Sequence, residues 1–178
     1  APTDIVAILD GRIRNLSAVR QRGLDFEIGY APAFAGGVLD LGIAGSHIFS
    51  IDRQLTPGAP ATDVVGTYGN PAKWRLRGRL GWSSGGFSAN AFVNYIDGYD
   101  NQVVTPVEQV SSWTTVDLTI SQRIGDEAGE RGLNLALSVI NLFDRDPPYL
   151  TNRSNTSALG YDPEKANPLG RMISLQAT

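Results

Sequence analysis

The chain has 178 residues, enough for one domain with a sizeable core. Its net charge of -3 at pH 7, without a cluster of lysine and arginine, excludes the basic surface that nucleic-acid binding requires. Hydrophobic residues make up 42% and charged residues 19%, which argues against a disordered chain, while 20 glycines and 10 prolines indicate many turns. The composition therefore favours an all-β protein.

Cysteine is absent, so neither a disulfide nor a thiolate metal site can form. Charged residues interrupt every apolar region before it reaches about 18 residues, so the sequence contains no candidate transmembrane helix. Membrane-spanning β-strands remain possible, because each needs only ~9–11 alternating residues. The chain begins at Ala1 without an initiator methionine or a signal peptide, which predicts a processed product or a piece of a longer protein.

Seven segments alternate polar and apolar residues, as β-strands with two different faces do. In chain order they are residues 23–30, 39–44, 73–82, 87–95, 116–121, 133–139 and 172–178. The third segment puts Arg75, Arg77 and Arg79 on one face and an apolar stripe, with a tryptophan at each end, on the other. Phe92 is an exception, since it falls among the polar residues of its segment. Residues 5–9, followed by Asp10 and Gly11, are predicted to be a loop and not an eighth strand.

The connections between these segments are short and long in strict alternation. Residues 31–37, 83–86 and 125–132 are short turns that contain glycine, whereas residues 52–71, 97–111 and 144–170 are long. A β-sandwich has no reason to sort its loops in this way, but an outer-membrane barrel has short periplasmic turns and longer extracellular loops. The predicted fold is therefore all-β, an antiparallel up-and-down transmembrane β-barrel segment of about seven strands.

Aromatic residues support this orientation of the sheet. They lie at or near the strand ends, where membrane barrels carry aromatic girdles: Tyr30, Trp74, Trp82, Tyr95 and Trp113. The three arginines are then predicted to face the lumen, because each would cost ~2–4 kcal/mol at the bilayer midplane.

Catalytic and metal sites are not predicted. Residues 81–85 fit the G-x-S-x-G pattern of α/β-hydrolases, but a strand follows where a helix is needed, and the only histidine, His47, comes earlier. These residues are therefore predicted to form a hairpin turn, and the protein is predicted not to be an enzyme. A lone histidine is a poor basis for a metal site, and Asp144, Asp146 and Asp162 do not have calcium-loop spacing. No cofactor is predicted.

Two late segments carry specific motifs. Residues 139–149 are VINLFDRDPPY and residues 161–171 are YDPEKANPLGR. In order and separation they resemble the paired signatures at the C-terminal end of TonB-dependent outer-membrane receptors. The matching residues are Asn141, Leu142, Phe143, Asp144, Asp146, Pro147, Pro148, Tyr161, Asp162, Asn167, Pro168, Gly170 and Arg171. Residues 22–27 also resemble the family's R-G-[LV]-[DE]-x-E strand, and residues 112–118 resemble the start of its third-last strand.

The resemblance implies a barrel of ~22 strands, preceded by a plug and a TonB-box peptide. Residues 1–178 would form a single segment, the C-terminal third of that barrel, without the plug and the N-terminal strands. Thr178 stands where the family usually has an aromatic residue, so a fragment cut at each end is expected. The implied function is energy-coupled import of a scarce, bulky nutrient, such as a siderophore, cobalamin or a sugar, across the bacterial outer membrane. The implied partners are outer-membrane lipid, the remaining barrel and plug, the TonB complex and a small-molecule ligand, and not nucleic acid.

Several alternatives stay open. Arg75, Arg77 and Arg79 are lumen candidates for binding an anionic substrate, since guanidinium groups bind carboxylate and phosphate bidentately. The preferred interpretation is that they pair with acidic lumen residues, such as Asp25, Glu27 or Asp117, or with the plug. The whole chain could instead be a stand-alone eight-stranded barrel with a structural or adhesive role, or a soluble β-sandwich that binds a ligand.

Overall fold

The computed structural model describes residues 18–125, 132–151 and 159–178. The strands in these ranges are β1 (Ala18–Tyr30), β2 (Ala33–Phe34), β3 (Gly37–Gln54), β4 (Thr62–Asp63), β5 (Trp74–Ser84), β6 (Phe87–Ile96), β7 (Tyr99–Asn101), β8 (Glu108–Val110), β9 (Trp113–Gly125), β10 (Gly132–Ile140) and β11 (Met172–Ala177). Among the described residues, no helix has the length and apolarity to cross a membrane.

Seven long strands form one antiparallel sheet, in the order β1-β3-β5-β6-β9-β10-β11. Each pairs with the long strand before it in the chain, so the topology is up-and-down, and the seven predicted strands are confirmed. The short strands β2 and β4 pair with β3, while β7 and β8 form a separate two-stranded sheet. β1 and β11 are the sheet edges, and no described strand pairs with the outer side of either one. The described sheet is therefore open.

The cross-strand register collects polar residues on one face of the sheet and apolar residues on the other. On the polar face Arg77 lies between Ala44 and Asn94, and one residue further Gly78 lies between Ile43 and Val93 on the apolar face. The described residues leave that apolar face uncovered, since Ile28, Leu80 and Leu175 are 64%, 53% and 78% exposed. A soluble β-sandwich would bury it under a second sheet. The β-sandwich alternative is therefore wrong.

The long connections leave one end of the sheet and the short turns leave the other. Residues 55–73, 97–112 and 141–171 join β3 to β5, β6 to β9 and β10 to β11, whereas residues 31–36 and 85–86 form turns at the opposite end. Gly85 and Gly86 have φ of 54° and 83°, as a two-residue hairpin of type I′ requires. The predicted hairpin at the G-x-S-x-G pattern and the sorting of these loops are confirmed. The turn between β9 and β10, and residues 5–9, lie outside the described residues.

β3 is longer than the alternation predicts, and it contains a bulge. Gly23 pairs with Ile48 and the preceding Arg22 pairs with Ser50, so Phe49 is an extra residue. The predicted strand stops at residue 44 because Gly45 and His47 take the next two positions of the apolar face, although both are still in regular register with β1. A Cβ atom at Gly23 would lie 2.8 Å from the carbonyl oxygen of His47, so glycine is needed at this close approach. This explains the glycine of the R-G-L-D motif.

Most of the buried hydrophobic residues lie in the long connections, and two lie in strands of the sheet near their long-loop ends. Those in the connections are Val65, Ala72, Tyr99, Val104, Val110 and Leu150. Those in strands of the sheet are Ile51 of β3 and Val139 of β10. We call the seven long strands the wall, and the described residues of the three long connections, 55–73, 97–112, 141–151 and 159–171, the cap. Among the described residues, the buried side chains that pack together as a core, Tyr99, Val110 and Leu150, all belong to the cap.

Candidate functional site

Two of the three arginines of β5 are engaged within the wall. Nε of Arg79 lies 2.9 Å from Oδ2 of Asp40, and its Nη2 donates a hydrogen bond to Oδ1 of Asp40 at 3.0 Å. The guanidinium carbon of Arg77 lies 4.4 Å from the centre of the Phe92 ring, a cation–π contact. This contact explains why an aromatic residue interrupts the polar face of β6.

The acidic partner of Arg79 differs from the residues that the sequence suggests. Asp25, Glu27 and Asp117 are the acids proposed from the alternation, but the described ion pair is formed with Asp40 of the neighbouring strand. The Arg79 side chain reaches Asp40 by passing over Gly42, where a Cβ atom would lie 3.2 Å from its Nη2. Alternation identifies the face of a residue but not its register, so it could not select this partner.

Asp117 of β9 instead forms hydrogen bonds to β6 and to the residue that follows β10, toward the long-loop end of the wall. Its Oδ2 accepts a hydrogen bond from Nδ2 of Asn94 at 2.8 Å, and its Oδ1 accepts one from the backbone N–H of Asn141 at 2.9 Å. The carboxylate therefore holds the beginning of the third long connection against the polar face.

Arg75 lies on the polar face near the long-loop end of β5, where it lines a groove of about 350 Å³. The groove is lined by Ser46, Ile48, Gly69, Asn70, Pro71, Ala72, Arg75, Glu164 and Lys165. The Arg75 guanidinium is exposed and donates one long hydrogen bond, 3.4 Å, to the backbone oxygen of Glu164. Among the described residues it has no carboxylate partner. Of the three predicted lumen arginines, Arg75 is the one that has neither a carboxylate nor an aromatic ring as a partner among the described residues.

Hydrogen bonds and apolar packing join the three long connections of the cap into one unit. The backbone N–H of Tyr68 donates to the oxygen of Asp100, and the N–H of Asp100 donates to the oxygen of Gly66, each at 2.9 Å. The first connection is thereby paired with the second. Beneath these bonds Leu150, from the third connection, is 1% exposed and packs with Tyr99 and Val110.

Glu108 connects the second and third long connections through its carboxylate. Its Oε2 accepts hydrogen bonds from the Thr151 N–H and from Nδ2 of Asn101, both at 2.9 Å, and its Oε1 accepts one from the Thr151 hydroxyl at 2.8 Å. The bond from Asn101 is the largest of the effects that lower the pKa of Glu108, and those from Thr151 add to it. Sequence reasoning missed this network, because Glu108 and Thr151 are 43 residues apart and belong to no motif.

A buried ion pair lies beside the core of the cap. Nζ of Lys165 is 2.8 Å from Oδ2 of Asp162, with side chains that are 6% and 4% exposed. The ammonium also lies 4.3 Å from the centre of the Tyr99 ring. Burial, and then the charge of Asp162, raise the pKa of the Tyr99 hydroxyl far above its usual value of 10.0.

Trp113 faces this cluster and not the lipid. The register places it beside Ile96 on the polar face, in the row of Arg75, and it lines a small cavity with Tyr99, Asp162 and Lys165. The prediction that Trp113 belongs to an aromatic girdle is wrong, because the apolar face of β9 carries the even-numbered residues such as Val116.

The strongest signature residues hold the base of the third connection. Asn141 has φ of 53°, and its side chain accepts a hydrogen bond from the Arg145 N–H at 2.9 Å and donates one to the Arg145 oxygen at 3.0 Å. Oδ1 of Asp144 accepts the Arg171 N–H at 2.7 Å. A Cβ atom at Gly170, which has φ of 64°, would lie 2.9 Å from that same oxygen. The two motifs therefore close one loop upon the other.

The remaining signature residues have local positions in the same connection. The Leu142 N–H donates to the oxygen of Val116 at 2.7 Å, Phe143 is 72% exposed, and Oδ1 of Asn167 accepts the Leu169 N–H at 3.0 Å. Pro148 lines the cavity beside Tyr99, and Asp146, Pro147, Tyr161 and Pro168 lie along the connection.

His47 lies on the apolar face, at the long-loop end. Its ring stacks on Trp74, with centroids 3.9 Å apart and planes at 19°, and its Nδ1 lies 3.2 Å from the Lys73 oxygen. The described residues include no group of three potential His, Cys, Asp or Glu ligands for a metal ion. Its stacking on Trp74 places His47 among the aromatic residues at the long-loop end of the apolar face, which we call the aromatic belt of that end.

The belts at the two ends of the wall are separated by a distance that fits a membrane. Trp74 and Trp82 lie on the apolar face of β5, eight residues apart, which corresponds to roughly 26 Å along the strand. At the usual strand tilt of ~35–45°, this span rises roughly 20 Å along the barrel axis, which is most of an apolar band about 25 Å tall.

Comparison with protein families identifies the same architecture. Residues 2–142 match the family model described as TonB dependent receptor-like, beta-barrel. No curated protein and no solved structure matches the chain. The matched range ends just inside the first late signature and covers well over half of the 178 residues. The chain therefore belongs to the TonB-dependent receptor β-barrel family of bacterial outer-membrane transporters, and its open antiparallel sheet is consistent with part of such a barrel.

Proposed function

We propose that residues 1–178 are the C-terminal wall and cap of a TonB-dependent transporter that imports a scarce, bulky nutrient. In this proposal the intact protein binds its ligand at the cap and lumen, and the TonB complex then acts on a plug that lies outside residues 1–178. The chain contributes barrel wall, lumen lining and extracellular loops.

The open edges of the sheet carry the proposal that this chain is one part of a larger barrel. The outer sides of β1 and β11 have no strand partner among the described residues. In the hydrocarbon region each unpaired backbone N–H or C=O group costs several kcal/mol, which is why membrane barrels are closed. Further strands must therefore cover both edges, and a ~22-stranded barrel would supply them.

For ligand recognition we assign different roles to the three arginines. Arg77 and Arg79 stabilise the wall through Phe92 and Asp40. Arg75 is exposed, lines the groove and is proposed to bind an anionic group of the ligand. A guanidinium forms two parallel bonds with a carboxylate or phosphate, so an arginine without a carboxylate partner among the described residues would give both affinity and orientation.

The test is uptake by the intact transporter in source cells, measured with isotopically labelled nutrients of several classes. Ferric siderophores, cobalamin and oligosaccharides would each be offered to cells with and without a functional TonB complex. At least one nutrient should accumulate only when the transporter and TonB are both present. Accumulation that is independent of TonB, or no accumulation in any class, would contradict the proposal.

The variant Arg75→Gln examines the ligand site separately. Uptake of an anionic nutrient should fall several-fold at low concentration, with an unchanged amount of protein in the outer membrane. Arg77→Gln is the matched control, because it removes a charge from the same face of the same strand. Equal losses in the two variants would contradict the assignment of Arg75.

A further inference from the structure

The apolar face of the wall contains a groove near its short-turn end. The groove has a volume of about 330 Å³ and is lined by Phe34, Ala35, Leu39, Leu80, Gly81, Trp82, Ala89, Asn90, Ala91 and Leu118. No lining residue is charged. It lies within the face that meets the membrane, so its surroundings are lipid and not water.

The register explains why a groove forms here. On the apolar face of β6 the small residues Ala89 and Ala91 follow one another, while larger residues lie on both neighbouring strands. Ala89 lies between Trp82 of β5 and Ile120 of β9. Ala91 lies between Leu80 and Leu118. The two methyl groups therefore form the floor of a channel along β6, with walls made by β5 and β9.

Larger side chains flank the two alanines along β6, and one side of the channel is anchored. Phe87, whose ring centroid is 5.9 Å from that of Trp82, precedes Ala89 on the apolar face, and Val93 follows Ala91. The Trp82 indole is fixed because its Nε1–H donates to the Phe34 oxygen at 3.1 Å. The turn that carries Phe34 is thereby held against the wall.

From this geometry we propose that the groove is a binding site for one acyl chain of a phospholipid from the periplasmic leaflet. The groove is continuous with the lipid-facing surface, and the short turns of outer-membrane barrels lie at the periplasmic side. Hydrocarbon around the wall is as apolar as the groove, so the preference arises from shape: a chain that fills the channel gains van der Waals contacts that a flat strand surface does not offer. The absence of charge from the lining predicts no selectivity for the headgroup.

Native mass spectrometry of the intact transporter tests this proposal. The protein would be purified in detergent, and dioleoyl phosphatidylethanolamine would be added as the probe. Ala91→Phe fills the channel and should lower the fraction of protein that retains one phospholipid several-fold. Val93→Phe is the matched control, since it enlarges the next residue on the same face of the same strand, and its retention should equal that of the wild type.

A second variant tests the same groove at another residue, and a second lipid tests whether the headgroup matters. Ala89→Leu should also reduce retention, and heat-modifiable migration in gels confirms that each variant forms a barrel. Replacement of the probe by dioleoyl phosphatidylglycerol should leave retention unchanged. Equal retention by Ala91→Phe and the wild type, no retained lipid in the wild type, or a strong dependence on the headgroup would overturn the proposal.

Discussion

The apolar side chains of the wall and those of the cap lie in opposite environments. Leu80 and Leu175 of the wall are 53% and 78% exposed, whereas Leu150 of the cap is 1% exposed. The wall relies on backbone ladders within the sheet and on lipid as the environment for its apolar face. The cap has its own core and carboxylates that accept several hydrogen bonds each. The difference shows that the part of the chain outside the bilayer is stabilised as a small soluble domain is, while the part inside is not.

The largest effect is expected from a variant that removes a side chain from the core of the cap. It tests whether the cap and the wall are stabilised independently. Leu150→Ala should destabilise the cap by about 2–5 kcal/mol, since it creates a cavity beside Tyr99. Hydrogen exchange of the intact transporter should become faster in β7 and β8 and stay unchanged in β5. Leu169→Ala, at a residue that is 66% exposed, is the control. Faster exchange throughout the wall would show that the two regions are not independent.

The converse variant places a charge on the apolar face of the wall. Ile43→Arg should lower the unfolding free energy in lipid vesicles by ~2–4 kcal/mol, because the residue lies near the middle of its strand, against lipid. Thr119→Arg, on the polar face, should have a much smaller effect. Urea unfolding of the intact transporter in vesicles measures both. A neutral Ile43→Arg would mean that the assignment of the two faces is inverted.

A smaller effect is expected when Glu108, whose carboxylate links the second and third long connections, is replaced. Glu108→Gln removes the negative charge and replaces one of the two acceptor oxygens by an NH2 donor, so exchange of the Thr151 amide should become faster, though less than in Leu150→Ala. Glu164→Gln is the control, because that side chain lies outside the Glu108 network.

The same carboxylate predicts a dependence on pH. Its hydrogen bonds lower the pKa of Glu108 below its usual value of 4.5, so the folded cap favours the ionised form. The stabilisation should be complete above about pH 4.5 and be lost as the pH falls through the lower, folded-state pKa. Protection of the Thr151 amide, corrected for intrinsic exchange, measures this. Loss of protection at higher pH would contradict it.

The smallest effect concerns the ion pair of the wall. The side chains of Arg79 and Asp40 are each 40% exposed, so Arg79→Gln should change the unfolding free energy by no more than about 1 kcal/mol. A double-mutant cycle with Asp40→Asn isolates the interaction. A coupling much larger than this would show that water is excluded from this part of the lumen.

The wall could be predicted from the sequence because one physical rule governs it. Alternation places Arg75, Arg77 and Arg79 on one face, and the structure keeps them there. The rule fails where a bulge intervenes, as at Phe49, and it does not supply register, so Asp40 was not identified as the partner of Arg79. It also failed for Trp113, whose position at a strand end suggested a girdle although its face is polar.

The cap could not be predicted to the same extent. Its core and hydrogen bonds join residues that are distant in the chain, such as Glu108 and Thr151, and no local period marks them. The late motifs were recognised, but the reasons for their residues became clear only from the structure. Asp144 receives the Arg171 N–H, and Gly170 leaves room for that carboxylate.

The measurement that tests the central claim most directly is an immunoblot of fractionated source cells, with an antibody raised against residues 1–178. A wall with two open edges predicts a band well above 19.1 kDa in the outer-membrane fraction, because the chain would be part of a larger barrel. A band of 19.1 kDa in that fraction would contradict the larger barrel and favour a small, self-contained one. A band in the soluble fraction would contradict the assignment of the uncovered face to lipid.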